Sequence, residues 1–117
     1  MTIRELMKVV DAEVLLGTDE QLGQEIRSAC GSDLMSDVLA FVKDKTVLIT
    51  GLTNVHVMRT AEMLDIRCVL FARGKKPTQD ILDEAKELDI VVLATRYTTY
   101  TTCGMLYAAG LRGTNEK

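Results

Sequence analysis

Short apolar runs alternate with helical stripes along the second half of the chain. The runs at residues 47–49, 67–71 and 90–94 have the length of strands, and the last is of the kind that is buried on both faces of a sheet. The stripes between them are Val57, Met58, Ala61 and Leu64, and then Ile81, Leu82, Ala85 and Leu88. Strands that alternate with single helices predict parallel crossovers, with the helices packed against the sheet.

Residues suited to helix ends stand at the borders of these stripes. Asn54 is a natural N-cap, and Pro77 suits the first position of the next helix because no N–H donor is needed there. A last helix is predicted over residues 99–109, with Thr98 or Thr99 as its N-cap. The second half of the chain therefore predicts three successive strand–helix units.

The first half of the chain adds further elements. Thr2 and Glu5 have the spacing of a capping box, and the helix that follows has an apolar face. The remaining predicted elements are a strand at 13–17, a polar connector at 18–23, a strand at 24–32 and a helix that starts at Ser36, with Val38, Leu39 and Val42 as its stripe. The whole pattern predicts a three-layer α/β domain, with a mostly parallel sheet flanked by helices.

Size and composition agree with a globular domain. The chain has 117 residues, enough for a single core. Hydrophobic residues make up 47% and charged residues 26%, which is typical of a folded rather than a disordered chain. We therefore expect one domain over residues 1–117, with a loose tail at 113–117.

The length of the apolar runs and the net charge of the chain limit where the protein is expected to be located and which partners it is expected to have. No apolar run approaches the roughly 18–20 residues needed to cross a bilayer. The first eight residues carry charge and lack the apolar core of a signal peptide. A cytoplasmic location with no membrane association is predicted. The net charge of −3 and the few aromatic residues argue against nucleic acid as a partner.

The chain lacks the usual signatures of metal, cofactor or catalytic chemistry. Cys30, Cys68 and Cys103 include no CxxC pair, which fits a reduced cytosolic chain without a metal site. His56, the single histidine, falls near the second residue of a predicted helix, where packing or capping explains it better than catalysis. The turn at 50–54 has one glycine where a dinucleotide loop has three, and no Gly-Lys-Ser/Thr of a P-loop occurs. No catalytic residue and no cofactor are predicted, and the chain is not expected to be an enzyme.

Polar side chains follow three predicted parallel strands at the point where each strand ends. Ligands of open α/β sheets bind beyond these carboxyl ends, and hydroxyl, guanidinium and ammonium groups beside a helix N-terminus suit phosphate or carboxylate. The candidate ligand-binding residues are Thr50, Gly51, Thr53, Asn54, His56, Arg73, Lys75, Arg96, Thr98 and Thr99. The alternative interpretation is structural, because strand-to-helix turns need glycine, asparagine and threonine whatever they bind, and residues 73–76 also suit a solvated turn.

Residues 95–102 are rich in hydroxyl groups and surround the start of the last predicted helix. Capping accounts for one of these groups. The others suit either a polar pocket or a surface that faces a partner subunit, where tyrosine is favoured.

A set of local features also carries a family resemblance. These features are the Leu-Ile-Thr-Gly turn at 48–51, the helix with Ala61 and Glu62, the strand that runs into Arg73 and Gly74, the helix opening at Pro77, and the late strand that leads to Tyr-Thr-Thr-Tyr-Thr at 97–101. As a set they resemble the DRTGG domain. Val-Leu-Leu-Gly at 14–17 and Met-Ser-Asp-Val-Leu at 35–39 extend the resemblance over nearly the whole chain.

The resemblance implies a fold similar to the N-terminal, non-catalytic domain of HPr kinase. Such domains occur in bacterial phosphotransacetylases, in pyrophosphatases with CBS domains and as short separate proteins in anaerobes, some encoded near iron hydrogenases. Members of this family tend to form homodimers, so the resemblance implies a homodimer. The neighbouring hydrogenase genes imply a partner protein in anaerobic or hydrogen metabolism. It transfers no catalytic residue. The signature Asp-Arg aligns with Leu52 and Thr53, and Thr-Gly-Gly aligns with residues 72–74, so roles of those signature side chains are not expected here.

These observations favour a non-catalytic regulatory or interaction module that forms a homodimer. The alternative is a sensor that binds a nucleotide or another phosphate-bearing anion at the carboxyl ends of the strands. The sequence leaves open the ligand, the partner proteins, the strand order and the surface that forms the dimer.

Overall fold

The computed structural model describes residues 1–36, 38 and 44–113. Most of the apolar stripe predicted after Ser36, and residues 114–117 of the tail predicted at 113–117, lie outside these residues. Gly113, the first residue of that predicted tail, belongs to a strand. The elements in chain order are α1 (Ile3–Val10), β1 (Glu13–Leu16), α2 (Asp19–Leu22), β2 (Ser28–Gly31), β3 (Thr46–Thr50), α3 (Val55–Met63), β4 (Cys68–Phe71), α4 (Gln79–Glu87), β5 (Val91–Ala94), α5 (Thr99–Ala108) and β6 (Arg112–Gly113).

The strands form a six-stranded sheet in the order β1-β5-β4-β3-β2-β6. Strands β5, β4, β3, β2 and β6 run parallel to their neighbours, and β1 pairs antiparallel with β5, with Glu13 opposite Ala94. The prediction of a mostly parallel α/β sheet is therefore confirmed. That residues 1–117 form one domain stays a prediction.

Side chains of the central strands alternate between two apolar layers, because successive strand residues point to opposite faces. Ile49 and Leu70 lie in the layer that α1 and α5 cover, whereas Leu48 and Val69 lie in the layer that α3 and α4 cover. All residues of β3, β4 and β5 are buried. The three layers follow from this two-sided burial. No helix in the described part of the chain is long and apolar enough to cross a membrane.

Several helix boundaries follow the predicted caps. Thr2 and Glu5 form a capping box at α1, and the Asn54 side chain accepts a hydrogen bond from the His56 N–H at the start of α3. Thr98 caps α5, which begins at Thr99 as predicted and ends one residue earlier, at Ala108. Local hydrogen bonds of this kind can be predicted from the sequence because their partners are two or three residues apart.

Other local predictions were wrong. The connector predicted at 18–23 contains the short helix α2, which Thr18 and Gln21 cap reciprocally. Pro77 does not open α4; it precedes the N-cap Thr78. The strand predicted at 24–32 is shorter in the structure, where β2 covers only Ser28–Gly31, and strand β6 was not predicted. The extent of β2 and the existence of β6 depend on pairing with strands that are distant in sequence.

One buried hydroxyl joins α1 to the sheet. Thr95 follows β5, and its Oγ1 donates to the Val10 carbonyl oxygen at 2.7 Å, while its N–H donates to the Phe71 carbonyl. Thr95 is buried, so water has little access to a carbonyl that loses this donor. The bond closes α1 against the end of β5.

Replacing Thr95 with valine keeps the shape but removes the donor. We expect Thr95→Val to lower the free energy of unfolding by about 1–3 kcal/mol, because the Val10 carbonyl is left unsatisfied. Urea denaturation followed by circular dichroism measures this loss. Thr78→Val is the matched control, since the exposed Thr78 makes no side-chain cap bond. An equal effect of both changes would contradict the role given to Thr95.

Candidate functional site

The carboxyl ends of four parallel strands meet along one side of the sheet. We call this side the carboxyl edge and define it as residues 32–34, 51–54, 72–77 and 95–98, which follow β2, β3, β4 and β5. Backbone hydrogen bonds join neighbouring segments of it. The Ala72 N–H donates to the Thr50 carbonyl at 2.9 Å, and the Arg73 N–H donates to the Tyr97 carbonyl at 2.7 Å. The segments therefore form one connected surface, as parallel strands require.

The carboxylate of Asp33 binds the turn after β3. Its Oδ1 accepts a hydrogen bond from the Gly51 N–H at 2.8 Å and another from the Thr50 hydroxyl at 2.9 Å. The Thr50 oxygen in turn accepts the Leu52 N–H at 3.1 Å. Thr50 and Gly51 are two of the ten residues that the sequence predicted as binding an external anion. In the folded chain a carboxylate of the protein itself occupies that position.

The pKa of Asp33 is lowered by this arrangement. The main cause is the hydrogen bond from the Gly51 N–H, which stabilises the ionised carboxylate. The Thr50 hydroxyl and the positive charge of Arg73 act in the same direction, while partial burial opposes them. Asp33 is therefore a charged acceptor at neutral pH.

Arg73 lies against the same turn. Its guanidinium Nη2 is 3.5 Å from the Gly51 carbonyl oxygen, and a Cβ added to Gly51 would lie 2.5 Å from that nitrogen. Only glycine at position 51 leaves room for this approach. Arg73 itself has a φ of 62°, a left-handed conformation that is uncommon for residues other than glycine. Asp33, Thr50, Gly51 and Arg73 thus form one group, which we call the turn cluster.

The remaining candidates on the β3–α3 and β4–α4 turns have separate surroundings. Asn54 is used as a cap, and Thr53 is partly exposed. The His56 side chain is exposed, and within residues 1–36, 38 and 44–113 its ring has no hydrogen-bond or ion-pair partner. Lys75 is exposed next to Arg73. The first two strand ends are therefore close together, with the turn cluster between them.

Arg96, the cation at the third strand end, pairs with a residue outside the turn cluster. The Arg96 Nη2 lies 3.8 Å from an Asp11 carboxylate oxygen, and its guanidinium lies 5.3 Å from the centroid of the Tyr97 ring. On the same side, Lys76 pairs with Glu13 at 2.8 Å. Acids that precede or begin β1 thus neutralise these cations. The structure brings Arg73 to Gly51 but pairs Arg96 with a different part of the chain.

Internal hydrogen bonds account for much of the hydroxyl-rich stretch. Thr98 Oγ1 accepts the Thr101 N–H at 3.4 Å and lies 3.2 Å from the Thr101 hydroxyl. Thr102 donates to the Tyr97 carbonyl, and Thr95 donates to α1 as described. Thr99 begins α5 and is partly exposed. Capping and packing therefore explain more of these hydroxyls than the single cap expected from sequence.

No group of histidine, cysteine, aspartate and glutamate side chains in the described ranges is arranged to hold a metal ion. Cys30, Cys68 and Cys103 form no disulfide bond. Burial raises the pKa of Cys68 to about 12, so this thiol stays protonated in the core.

Comparison with known proteins identifies the family. The sequence model of the DRTGG domain matches residues 5–109. The chain belongs to the DRTGG domain family. No curated protein sequence matches this DRTGG domain significantly.

A solved structure has the same fold as this DRTGG domain. It is the CBS and DRTGG domains of the regulatory region of a Clostridium perfringens pyrophosphatase, complexed with its activator, diadenosine tetraphosphate. The TM-score is 0.72 and the sequence identity 16%, over 90% of the present chain and 45% of the other. This DRTGG domain therefore spans less than half of that chain, and the likeness shows the fold alone.

Sequence reasoning missed Asp33, the central acceptor of the turn cluster. A signal was present, since Asp33 directly follows the strand predicted at 24–32. It was overlooked because the order of the strands decides that β2 lies beside β3. Only then does a residue after β2 reach the turn after β3.

Asp33 is expected to stabilise this DRTGG domain in a pH-dependent way. Asp33→Ala should lower the free energy of unfolding at pH 7 by about 1 kcal/mol, because two hydrogen bonds to a charged acceptor are lost. The folded pKa lies below the unfolded one, so the stabilisation is complete above the unfolded pKa and is lost as the pH falls through the folded pKa. The difference between wild type and variant should therefore shrink below about pH 4.

Denaturant titrations from neutral to acid pH measure this difference. A gap between the two proteins that stays constant with pH would show that the carboxylate charge of Asp33 does not stabilise the turn.

Proposed function

We propose that this chain is a non-catalytic regulatory module that works as a cytoplasmic homodimer. One observation carries the first part: the carboxylate of Asp33 occupies the donors of Thr50 and Gly51 at the carboxyl edge. A substrate anion would have to displace that carboxylate. The position where α/β enzymes hold their substrates is thus closed by an internal contact.

The absence of an arranged acid–base group supports the same proposal. His56 is exposed at the start of α3, and among the described residues no carboxylate orients its ring. General acid–base catalysis needs a partner of that kind, or a substrate position beside the ring. The same fold occurs within the regulatory region of the pyrophosphatase, which supports a regulatory role for the present chain. The lack of a disulfide among the three cysteines fits a reducing compartment.

The homodimer is supported by large apolar and aromatic side chains that the single chain leaves in solvent. Tyr100 is 87% exposed and Tyr107 is 50% exposed, both on α5. Tyrosine is enriched in the contacts between subunits. A second chain would remove these rings from water.

Sedimentation equilibrium tests the homodimer directly. We expect a mass near twice the 12.9 kDa of the chain at high protein concentration, with dissociation on dilution. A single species of 12.9 kDa at every attainable concentration would refute the dimer. The module would then have to act as a monomer, through a partner protein in anaerobic or hydrogen metabolism or through a bound ligand.

A second function is favoured by one specific feature of the turn cluster, the guanidinium of the exposed residue Arg73. Its contact with the Gly51 carbonyl is long, at 3.5 Å, so the cation is poorly engaged. The donors of Gly51 and Thr50 are already arranged for a carboxylate-sized anion. A phosphate group that displaces Asp33 would meet both donors and the guanidinium. On this proposal the module senses a phosphate-bearing ligand.

Removing Asp33 should therefore reveal anion binding. We expect pyrophosphate, AMP, ATP or diadenosine tetraphosphate to raise the melting temperature of Asp33→Ala more than that of wild type. Adding Arg73→Ala to this variant should abolish the shift, because the guanidinium supplies the positive charge.

Arg96→Ala in the same background is the matched control, since Arg96 pairs with Asp11 and not with the turn cluster. The shift should survive this change. If no compound in the panel shifts the melting temperature of Asp33→Ala, the sensor function is excluded while the dimer is unaffected.

A further inference from the structure

Helix α5 differs from the other long helices in its outer surface. The exposed sides of α1, α3 and α4 carry charged residues, among them Arg4, Arg59 and Asp83. The ten residues of α5, Thr-Tyr-Thr-Thr-Cys-Gly-Met-Leu-Tyr-Ala, include no charge. Apolar residues are spread around this helix and not confined to one face, whereas α1 is strongly amphipathic. A helix with apolar residues all round is usually covered on all sides.

Among residues 1–36, 38 and 44–113, the buried contacts with α5 lie on its inner side. Leu106 and Thr102 are buried, and Leu106 packs in the layer shared with α1. The outer side presents Tyr100, Gly104 and Tyr107, which lie four and three residues apart and so share one stripe. We call these three residues the tyrosine face.

Gly104 forms a flat centre in the tyrosine face. A Cβ added there would meet no atom within 4 Å, so the fold itself does not require glycine. Glycine is among the least favourable residues in the interior of a helix. At a contact between helices, however, a glycine lets two backbones approach closely. The position is thus unexplained by the single chain and suited to a crossing point.

We propose that the tyrosine face is the surface through which two copies of this chain pair, with their α5 helices antiparallel and crossing at Gly104. This inference rests on the homodimer proposed above and assigns its surface. In a two-fold pair, residue i of one chain meets residue j of the other, and j meets i. Tyr100 and Tyr107 lie at nearly equal distances from Gly104, so Tyr100 falls opposite the partner's Tyr107.

A second copy is the occupant that the charges favour. None of the three residues of the tyrosine face is charged, and the neighbouring cation, Arg112, is engaged by the Tyr107 ring, so the face itself does not select an acidic or basic partner. The outer sides of the other long helices would bring charged residues against it. A second tyrosine face is uncharged and has the same spacing. Arg112 already stacks on the Tyr107 ring, with its guanidinium 4.3 Å from the ring centroid. This contact holds the ring in place before association.

The expected contact is small. A ten-residue helix is about 15 Å long, so the interface falls at the low end of the sizes found for specific complexes. Association should therefore be reversible and concentration-dependent.

The first test changes the crossing point. Gly104→Glu fits the single chain, since nothing lies where its Cβ would be, and glutamate favours helix more than glycine does. It brings two like charges together at the two-fold axis. We expect dissociation constants from sedimentation to rise by roughly tenfold or more, with no drop in melting temperature measured at a concentration where both proteins are monomeric.

Met63→Glu is the matched control, because Met63 is 72% exposed and lies on α3, on the other side of the sheet. It should leave the dissociation constant unchanged. If Gly104→Glu leaves wild-type association intact, the tyrosine face is not the dimer surface, although the homodimer itself stands. If the wild-type chain is always monomeric, the homodimer fails and this surface with it.

The second test addresses the antiparallel register. Tyr100→Lys places an ammonium group against the partner's Tyr107 and its neighbouring guanidinium, and should weaken association. Adding Tyr107→Glu should strengthen association relative to Tyr100→Lys alone, because the ammonium then meets a carboxylate across the axis. This rescue should disappear at high salt. A double variant that associates more weakly than Tyr100→Lys would overturn the antiparallel pairing.

Discussion

Burial of β3, β4 and β5 on both faces is the constraint on which the rest of the structure depends. The backbone N–H and C=O groups of such strands can be satisfied only by neighbouring strands in the plane of the sheet, so the sheet must extend on either side. Their apolar side chains point to both faces, so helices must cover both faces. Parallel pairing then requires each chain segment to cross over and start again at the same side. The segments that leave β2, β3, β4 and β5 therefore emerge together at the carboxyl edge. Polar residues of these segments lie near one another there because the strands that precede them are neighbours in the sheet.

The turn cluster is held at the carboxyl edge by hydrogen bonds and charges within the chain. A turn that leads from a strand into a helix presents N–H groups with no partner in the helix. In this DRTGG domain the Asp33 carboxylate accepts the Gly51 N–H and the Thr50 hydroxyl, and Arg73 lies against the same turn. The guanidinium of Arg73 lies where a Cβ at position 51 would be, so a larger residue there would displace it from the turn. The edge is thus held by charge and hydrogen bonds within the chain.

The carboxyl edge and the tyrosine face are connected through the start of α5. The Tyr97 carbonyl accepts the Arg73 N–H and also the Thr102 hydroxyl in the first turn of α5. Tyr100 lies within this turn. Residues at the turn cluster and residues on the outer side of α5 are therefore only a few hydrogen bonds apart.

Sequence alone determined the fold class, the central strands and most helix caps. Apolar runs and caps such as Asn54 and Thr98 act over a few residues, so their pattern is visible along the chain. The same reasoning named Thr50, Gly51 and Arg73, because each follows a strand. Tertiary structure alone decided that Asp33 reaches Gly51, that Arg96 instead pairs with Asp11, and that β6 exists. The physical reason is that these contacts depend on which strands are neighbours, and strand order is set by packing between segments distant in sequence.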